Sequence, residues 1–132
     1  FKQYNDRYGH QAGDDCVRAI AALIRQMESD QIFCARYGGD EFVIIYSGMS
    51  AEEVCERAEK LRQDVMALQI EQRYTEGAFG VTISQGICHD IPSNGNKNWD
   101  FLHVADQTLY RVKRRRRNRL CMTDIHGREI EV

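Results

Sequence analysis

Hydrophobic positions along this chain recur with two different periods, and the change from one to the other marks out its elements. Cys16, Val17, Ile20, Leu23, Ile24 and Met27 stand three and four apart, the spacing that lines one face of a helix, and Glu28, Ser29 and Asp30 end it. Two runs rich in β-branched and aromatic residues follow, Ile32 to Tyr37 and Phe42 to Tyr46, and Gly38-Gly39 between them predicts a tight hairpin turn. Ser50 then predicts an N-cap, with Glu52 and Glu53 in a first turn where the helix dipole favours negative charge. Val54, Ala58, Leu61, Val65 and Leu68 form the apolar stripe of that second helix; Glu56, Arg57, Glu59, Lys60 and Arg62 read as its wetted face. From Gln69 to Gly77 the pattern predicts an edge strand or irregular connection around Ile70 and Tyr74. Val81 to Ile87 alternates as a strand does, with Gly80 and Gly86 marking bulges or close approach. Turn formers fill Asp90 to Asn98, and helical spacing resumes from Trp99 to Arg115 through Leu102, Ala105, Leu109 and Val112. Arg119 to Met122 predicts a last short strand, and Asp124 to Val132 is a charged tail.

That order predicts an α/β fold of the α+β sandwich kind, with helices packed on a mainly antiparallel sheet. A length of 132 residues suits one domain with a substantial core. The net charge of −2 points the whole molecule neither to nucleic acid nor to an anionic membrane, so a polyanion site has to be local. No apolar run approaches the length that spans a bilayer, and the first residues carry no signal-peptide pattern. The five cysteines are odd in number and widely spaced without a C-x-x-C pair, which predicts reduced cytosolic thiols, not a disulfide framework or a zinc site.

Three clusters carry candidate chemistry. Asp40 and Glu41, behind Gly38 and Gly39, place hard oxygen donors where Mg²⁺ could be held against a phosphate, while glycine lets a bulky polyanion approach the backbone. Read alone, the same residues describe a solvated hairpin. Asn5 and Asp14 offer the donors and acceptors that read a guanine edge, with Phe1, Lys2 and His10 beside them; Asp14 equally suits a helix cap and His10 an ordinary loop. The run Arg111-Val-Lys-Arg-Arg-Arg-Arg-Asn-Arg119 is compatible with a nucleic-acid patch or a solvated helix end. A narrower reading has Lys113 and Arg117, four apart on one helical face, reaching one polyphosphate.

Taken together the clusters resemble the GGDEF domains, the catalytic domains of bacterial diguanylate cyclases. Gly38-Gly39-Asp40-Glu41-Phe42 is the signature itself. Phe1-Lys2, Asn5-Asp6, Gly9-His10 and Gly13-Asp14 resemble the family's FK-x-x-ND and GH-x-x-GD segments. Val81-Thr-Ile-Ser-Gln-Gly86 is similar to its VTIS-x-G strand, and Ala105-Asp106, Leu109-Tyr110, Lys113, Arg117 and Asn118 to its AD-x-x-LY-x-AK-x-x-GRN helix end. The resemblance covers residues 1–122, with 123–132 as a C-terminal tail. It implies a nucleotidyl-cyclase-like fold, related to polymerase palms, whose first strand precedes Phe1 and carries another metal-binding aspartate. The implied reaction condenses two GTP into cyclic di-GMP and two pyrophosphates with Mg²⁺ or Mn²⁺.

In that reaction each protomer of a homodimer holds one GTP. Asp40 and Glu41 are the implied catalytic and metal-binding acids. Asn5 and Asp14 would read guanine, Phe1, Lys2, His10, Gly38 and Gly39 would line the nucleotide site, and Lys113 and Arg117 would hold the terminal phosphates. An upstream sensory domain is implied in a cytoplasmic parent protein, membrane-anchored or not, with no nucleic-acid partner and no membrane contact by this domain. A GTP-binding or dimerisation module without turnover is the alternative. Two departures stand out. The family's R-x-x-D product-inhibition motif is replaced at its ends by Ser29 and Ile32, which predicts no inhibition there. Arg116 stands where the family has glycine and Val112 where it has alanine, which predicts strain at the helix end.

Overall fold

A computed structural model of the chain describes residues 10–71, 81–93, 95 and 98–131. Among these, in order, run α1 (His10–Arg25), β1 (Ile32–Gly38), β2 (Glu41–Tyr46), α2 (Ala51–Glu71), β3 (Gln85–Cys88), α3 (Asn98–Arg115) and β4 (Leu120–Thr123). The chain divides into two compact units, Phe1–Ser50 with Gln63–Val81, and Ala51–Arg62 with Thr82–Val132. The α+β class expected from the order of periods is the observed one.

In the first unit, the predicted stripe of α1 is buried at Cys16, Val17, Ile20 and Ile24. The helix closes on shorter hydrogen bonds, Met27 N–H to Ile24 O at 3.0 Å and Glu28 N–H to Arg25 O at 3.1 Å, which satisfy carbonyls that the last turn would leave open. Met27 therefore falls just past the helix. The Cys34 thiol donates to Ile24 O at 3.4 Å and ties that end of α1 to β1. Strands β1 and β2 pair antiparallel from Ile32 opposite Tyr46 to Gly38 opposite Glu41, with a register shift between Arg36 and Gly38. Ile32 is buried, whereas Phe33 and Ile45, opposite each other on the other face, are 60% and 51% exposed.

Helix α2 buries Val54, Ala58, Leu61 and Val65, four of the five stripe positions predicted for it. It runs on to Glu71, through Ile70, where an edge strand or irregular connection was expected. Gln69, Ile70 and Glu71 carry no proline or glycine to stop it. Tyr74 lies outside the described residues.

The second unit contains a β3-α3-β4 crossover. Strands β3 and β4 run parallel, from Gln85 opposite Leu120 to Cys88 opposite Thr123, so this two-stranded sheet is parallel where mainly antiparallel pairing was expected. Parallel neighbours need a long connection, and α3 provides it. The predicted strand over Val81 to Ile87 is ordered as strand from Gln85 onward, because β4 is short and offers ladder partners to four residues. Gly86 is there for contact: a Cβ on it would lie 2.2 Å from Leu109 N and 2.5 Å from Ala105 O of α3. Farther along, Thr108 and Thr123 are fully buried and share a hydroxyl hydrogen bond of 3.0 Å, while the Thr108 hydroxyl also reaches Val104 O at 2.8 Å.

The charged tail is folded. Asp124 Oδ1 accepts from His126 N–H at 2.8 Å and Arg128 N–H at 3.0 Å, Gly127 takes a positive φ of 79°, and Ile130 N–H returns to Met122 O at 2.8 Å. Arg111 and Arg115 of α3 reach Gly127 O and Glu129 at 3.2 Å each. Asp90, after β3, holds the turn from the other side by accepting Ile125 N–H at 3.0 Å and Ile91 N–H at 2.8 Å.

Replacing Gly86 by Ala should therefore cost about 1–3 kcal/mol or more, because the group in the way is helix backbone and cannot rotate aside. Urea unfolding should show a clear fall in midpoint for Gly86→Ala and little for Gly95→Ala, whose Cβ would meet open space. Hydrogen bonds from Ile125 and Ile91 hold the Asp90 carboxyl below its ordinary pKa. Its contribution is thus full above the unfolded value of about 3.9 and is lost as pH falls through the lower folded one. Asp90→Asn should lower the urea midpoint at pH 6 and lose less than the wild type on going to pH 3. Equal losses would contradict the role of this carboxylate.

Candidate functional site

The register of the hairpin puts Gly38 at the end of β1 and Glu41 at the start of β2, so the two-residue turn is Gly39-Asp40 and not Gly38-Gly39 as predicted. The shift arises because the bulge after Arg36 uses Tyr37 as an extra residue. Gly39 has φ 52°, a left-handed value that glycine adopts without steric cost. Asp40 and Glu41 are both exposed, at the tip and one residue behind it. Among the described residues, nothing lies within 4 Å of a Cβ placed on Gly38 or Gly39. Packing thus does not demand these glycines; the turn needs one of them, and the space beside both is open.

Arg36 holds the turn from behind. Its Nε donates to Gly39 O at 2.9 Å and its Nη2 donates to the same oxygen. A guanidinium fork on one carbonyl fixes the peptide that leads into Asp40 and sets a positive charge at the base of a turn bearing two acids. Sequence reasoning passed over Arg36. The usable signal is an arginine three residues ahead of a turn glycine, within reach of its carbonyl.

The second group of candidates belongs to the second unit. Lys113 is half-buried within α3, and Arg117 is exposed two residues past its end at Arg115. They are therefore not on one helical face, as their spacing predicted, because the helix stops between them. The strain expected at Arg116 is also absent: it has no positive φ, and its N–H bonds to Val112 O at 3.0 Å like a further helical residue. Asn118 takes the left-handed conformation instead, with φ 61°, and is the one non-glycine with positive φ among the described residues. The basic run is also sorted. Arg114 stacks over Tyr110 at 5.7 Å, and Arg115 and Arg111 bind the folded tail. No side-chain partner for Arg116, Arg117 or Arg119 is found among the described residues.

Asn118 is held by side chains from elsewhere in its unit. Its N–H donates to Ser84 Oγ at 3.2 Å, and Arg62 Nη1 donates to its Oδ1 at 3.1 Å. Glu59 orients Arg62 through a bidentate pair of 2.5 and 3.0 Å. Gln85 Nε2 donates to Ala58 O at 2.9 Å, fixing the same turn of α2 to β3. Arg62 read as part of a wetted face; nothing local announces a partner 56 residues away.

Of the remaining candidates, Phe1, Lys2 and Asn5 lie outside the described residues. His10 opens α1, and Asp14 stands exposed inside that helix, one turn beyond the position a cap would need. Gly38, Gly39, Asp40 and Glu41 are brought together by the hairpin. Among the described residues no three His, Cys, Asp or Glu side chains form a metal-holding group. The cysteines are free, and burial pushes the thiols of Cys16, Cys34 and Cys121 up. Cys88 is pushed up to about 11 by burial, with Asp90 and Asp124 adding to it. Those four thiols stay protonated near neutral pH and are not activated nucleophiles.

Comparison with known proteins places this geometry. The family model for the diguanylate cyclase, GGDEF domain, matches residues 1–119. The chain is 33% identical over 128 residues to a diguanylate cyclase of Vibrio cholerae, covering 92% of this chain and 36% of that protein. With diguanylate cyclase DosC of Escherichia coli it shares 31% over 122 residues, 91% of this chain and 25% of the other. The chain thus spans about a third or less of the length of these relatives. Among solved structures, the GGDEF domain of DgcB from Caulobacter crescentus in complex with c-di-GMP matches with TM-score 0.80 at 33% identity, over 95% of this chain and 71% of that one. The active GGEEF domain of a diguanylate cyclase from Vibrio cholerae matches with TM-score 0.73 at 32% identity, over 92% and 74%. Fold, hairpin signature and family match agree, and the chain belongs to the GGDEF domain family of diguanylate cyclases.

Proposed function

We propose that this domain condenses two GTP molecules into cyclic di-GMP with release of two pyrophosphates. The observation that supports it most is the hairpin tip, where Asp40 and Glu41 stand exposed beside two glycines that no described residue crowds. Two adjacent carboxylates fit Mg²⁺ or Mn²⁺: such ions take one or two protein carboxylates and complete their shell with substrate phosphates and water. When bound, the cation supplies charge neutralisation of the triphosphate and a lower pKa for the attacking hydroxyl.

The chain's own residues divide the remaining work. Asp40 and Glu41 hold the cation, and Asp40 also accepts the proton of the 3′-hydroxyl. Asn5 and Asp14 read the guanine edge, while Phe1, Lys2 and His10 line the nucleotide site. Lys113 and Arg117 hold the terminal phosphates; Arg117 is suited to that by its exposure and by having no partner among the described residues. Each 3′-oxygen forms a bond to the α-phosphorus of the other GTP as the bond to pyrophosphate breaks. Because one domain holds one GTP, two copies must face each other, and the working unit is a homodimer. An upstream sensory domain would control that pairing. No helix among the described residues is long and apolar enough to cross a membrane.

The full-length protein incubated with GTP and Mg²⁺ should yield cyclic di-GMP, read by chromatography, and Asp40→Ala should abolish it. An exposed turn acid contributes little to the core, so the variant's stability should stay within about 0.5 kcal/mol of the wild type. Wild-type turnover in Asp40→Ala would rule out the metal role. No product from a folded wild-type dimer would favour the binding or dimerisation module.

Feedback by the product through the family's R-x-x-D position is not expected. Ile32, at the place of its acid, is 3% exposed in the core, and Ser29 is hydrogen-bonded to it through the backbone at 3.1 Å. Initial rates at rising cyclic di-GMP should show only inhibition competitive with GTP. Non-competitive inhibition abolished by altering Ser29 would refute this.

A further inference from the structure

We propose that Arg62, on α2, is a positioning residue that aims Arg117 by clamping Asn118 in its left-handed turn. The proposal rests on the reading of Arg117 as a phosphate-binding residue. Between Arg115, where α3 ends, and Leu120, where β4 begins, the chain has to reverse. Asn118 is the pivot, and a left-handed backbone at a residue with a Cβ is strained, less so for asparagine than for most. Such strain persists where the surroundings over-determine it. Here they do so at two points: Ser84 Oγ fixes the Asn118 N–H at 3.2 Å, and Arg62 Nη1 fixes the side-chain oxygen at 3.1 Å. The N–H of Asn118 and the carbonyl of Arg117 belong to one planar peptide, so the Ser84 contact orients the residue before the pivot directly, and Arg62 orients it by fixing the side chain of the pivot itself.

Charge makes the choice of Arg62 informative. A guanidinium brought to a segment already bearing Arg114, Arg115, Arg116, Arg117 and Arg119 meets repulsion, and a neutral donor would fill the Asn118 acceptor without it. Glu59 makes the arrangement tolerable: it accepts from Nε and Nη2 of Arg62, at 3.0 and 2.5 Å, and offsets its charge. The pair is partly shielded, with side-chain exposures of 19% for Arg62 and 39% for Glu59. A rigid planar fork bound along its Nε–Nη2 edge by a carboxylate holds Nη1 in a set direction, which suits a clamp better than a flexible ammonium would.

The test is the dissociation constant for GTP, measured by calorimetry on the full-length protein, so that the result does not depend on turnover. Arg62→Ala should weaken GTP binding about tenfold, the equivalent of one charge-assisted hydrogen bond. Arg62→Lys should recover part of the loss. Asn118→Gly keeps the left-handed backbone but removes the acceptor, so it should fold and weaken GTP binding to a similar degree. Arg62→Ala combined with Arg117→Ala should be no weaker than Arg117→Ala alone, since both act through one group. A lowered unfolding temperature in Arg62→Ala with unchanged GTP affinity would overturn the proposal, as would additive losses in the double variant. An unchanged affinity in Arg117→Ala would instead refute the phosphate-binding role on which the proposal rests.

Discussion

Much of the second unit depends on one steric constraint, the approach of α3 to β3 at Gly86. With room for a hydrogen and not for a Cβ, the strand lies directly against the backbone of the helix at Ala105 and Leu109. That contact fixes the height of α3 over the strand. Four residues beyond Leu109 comes Lys113, and beyond that the chain leaves the helix, so the contact also fixes where the basic end emerges. The buried Thr108–Thr123 hydroxyl pair repeats the constraint with hydrogen bonding, locking α3 to β4 as Gly86 locks it to β3. A helix pinned to both strands of its own crossover has little freedom to slide.

The same logic explains what was legible in the chain. Helix α1, the hairpin strands, most of α2 and α3 could be read because their apolar residues obey local periods, and burial at Cys16, Val17, Ile20 and Ile24 follows that period. The hairpin glycines were legible as a turn, but their register was not, since a one-residue bulge at Tyr37 leaves no mark in composition. Parallel pairing of β3 with β4 was hidden for a related reason: strands four residues long carry too few positions to state their partner. The tail read only as charge because its order comes from Asp124 capping its own turn and from Asp90, Arg111 and Arg115 reaching it across the unit. Asp124 and Gly127 were a readable turn signal.

The candidate site divides in the same manner. Asp40 and Glu41 were found because a turn is a local object. Arg62 and Ser84 were missed because folding brings their partner, Asn118, to them from far along the chain, whereas Arg36 acts within its own hairpin and its spacing to Gly39 was a signal left unread. Motif resemblance reached Asn118 but gave it no physical role; its φ of 61° does.

That value also resolves the departure at Arg116. A glycine at a helix end is usually explained by a left-handed backbone, and an arginine in its place would then be strained. Here the helical hydrogen bonding continues through Arg116, and the reversal is delayed to Asn118, a residue type that tolerates the left-handed region. Substituting the glycine therefore adds a cation without adding strain at its own position. The left-handed turn falls instead at the asparagine, where Ser84 binds its N–H and Arg62 its side-chain oxygen, so the chain reverses at a residue held from two sides.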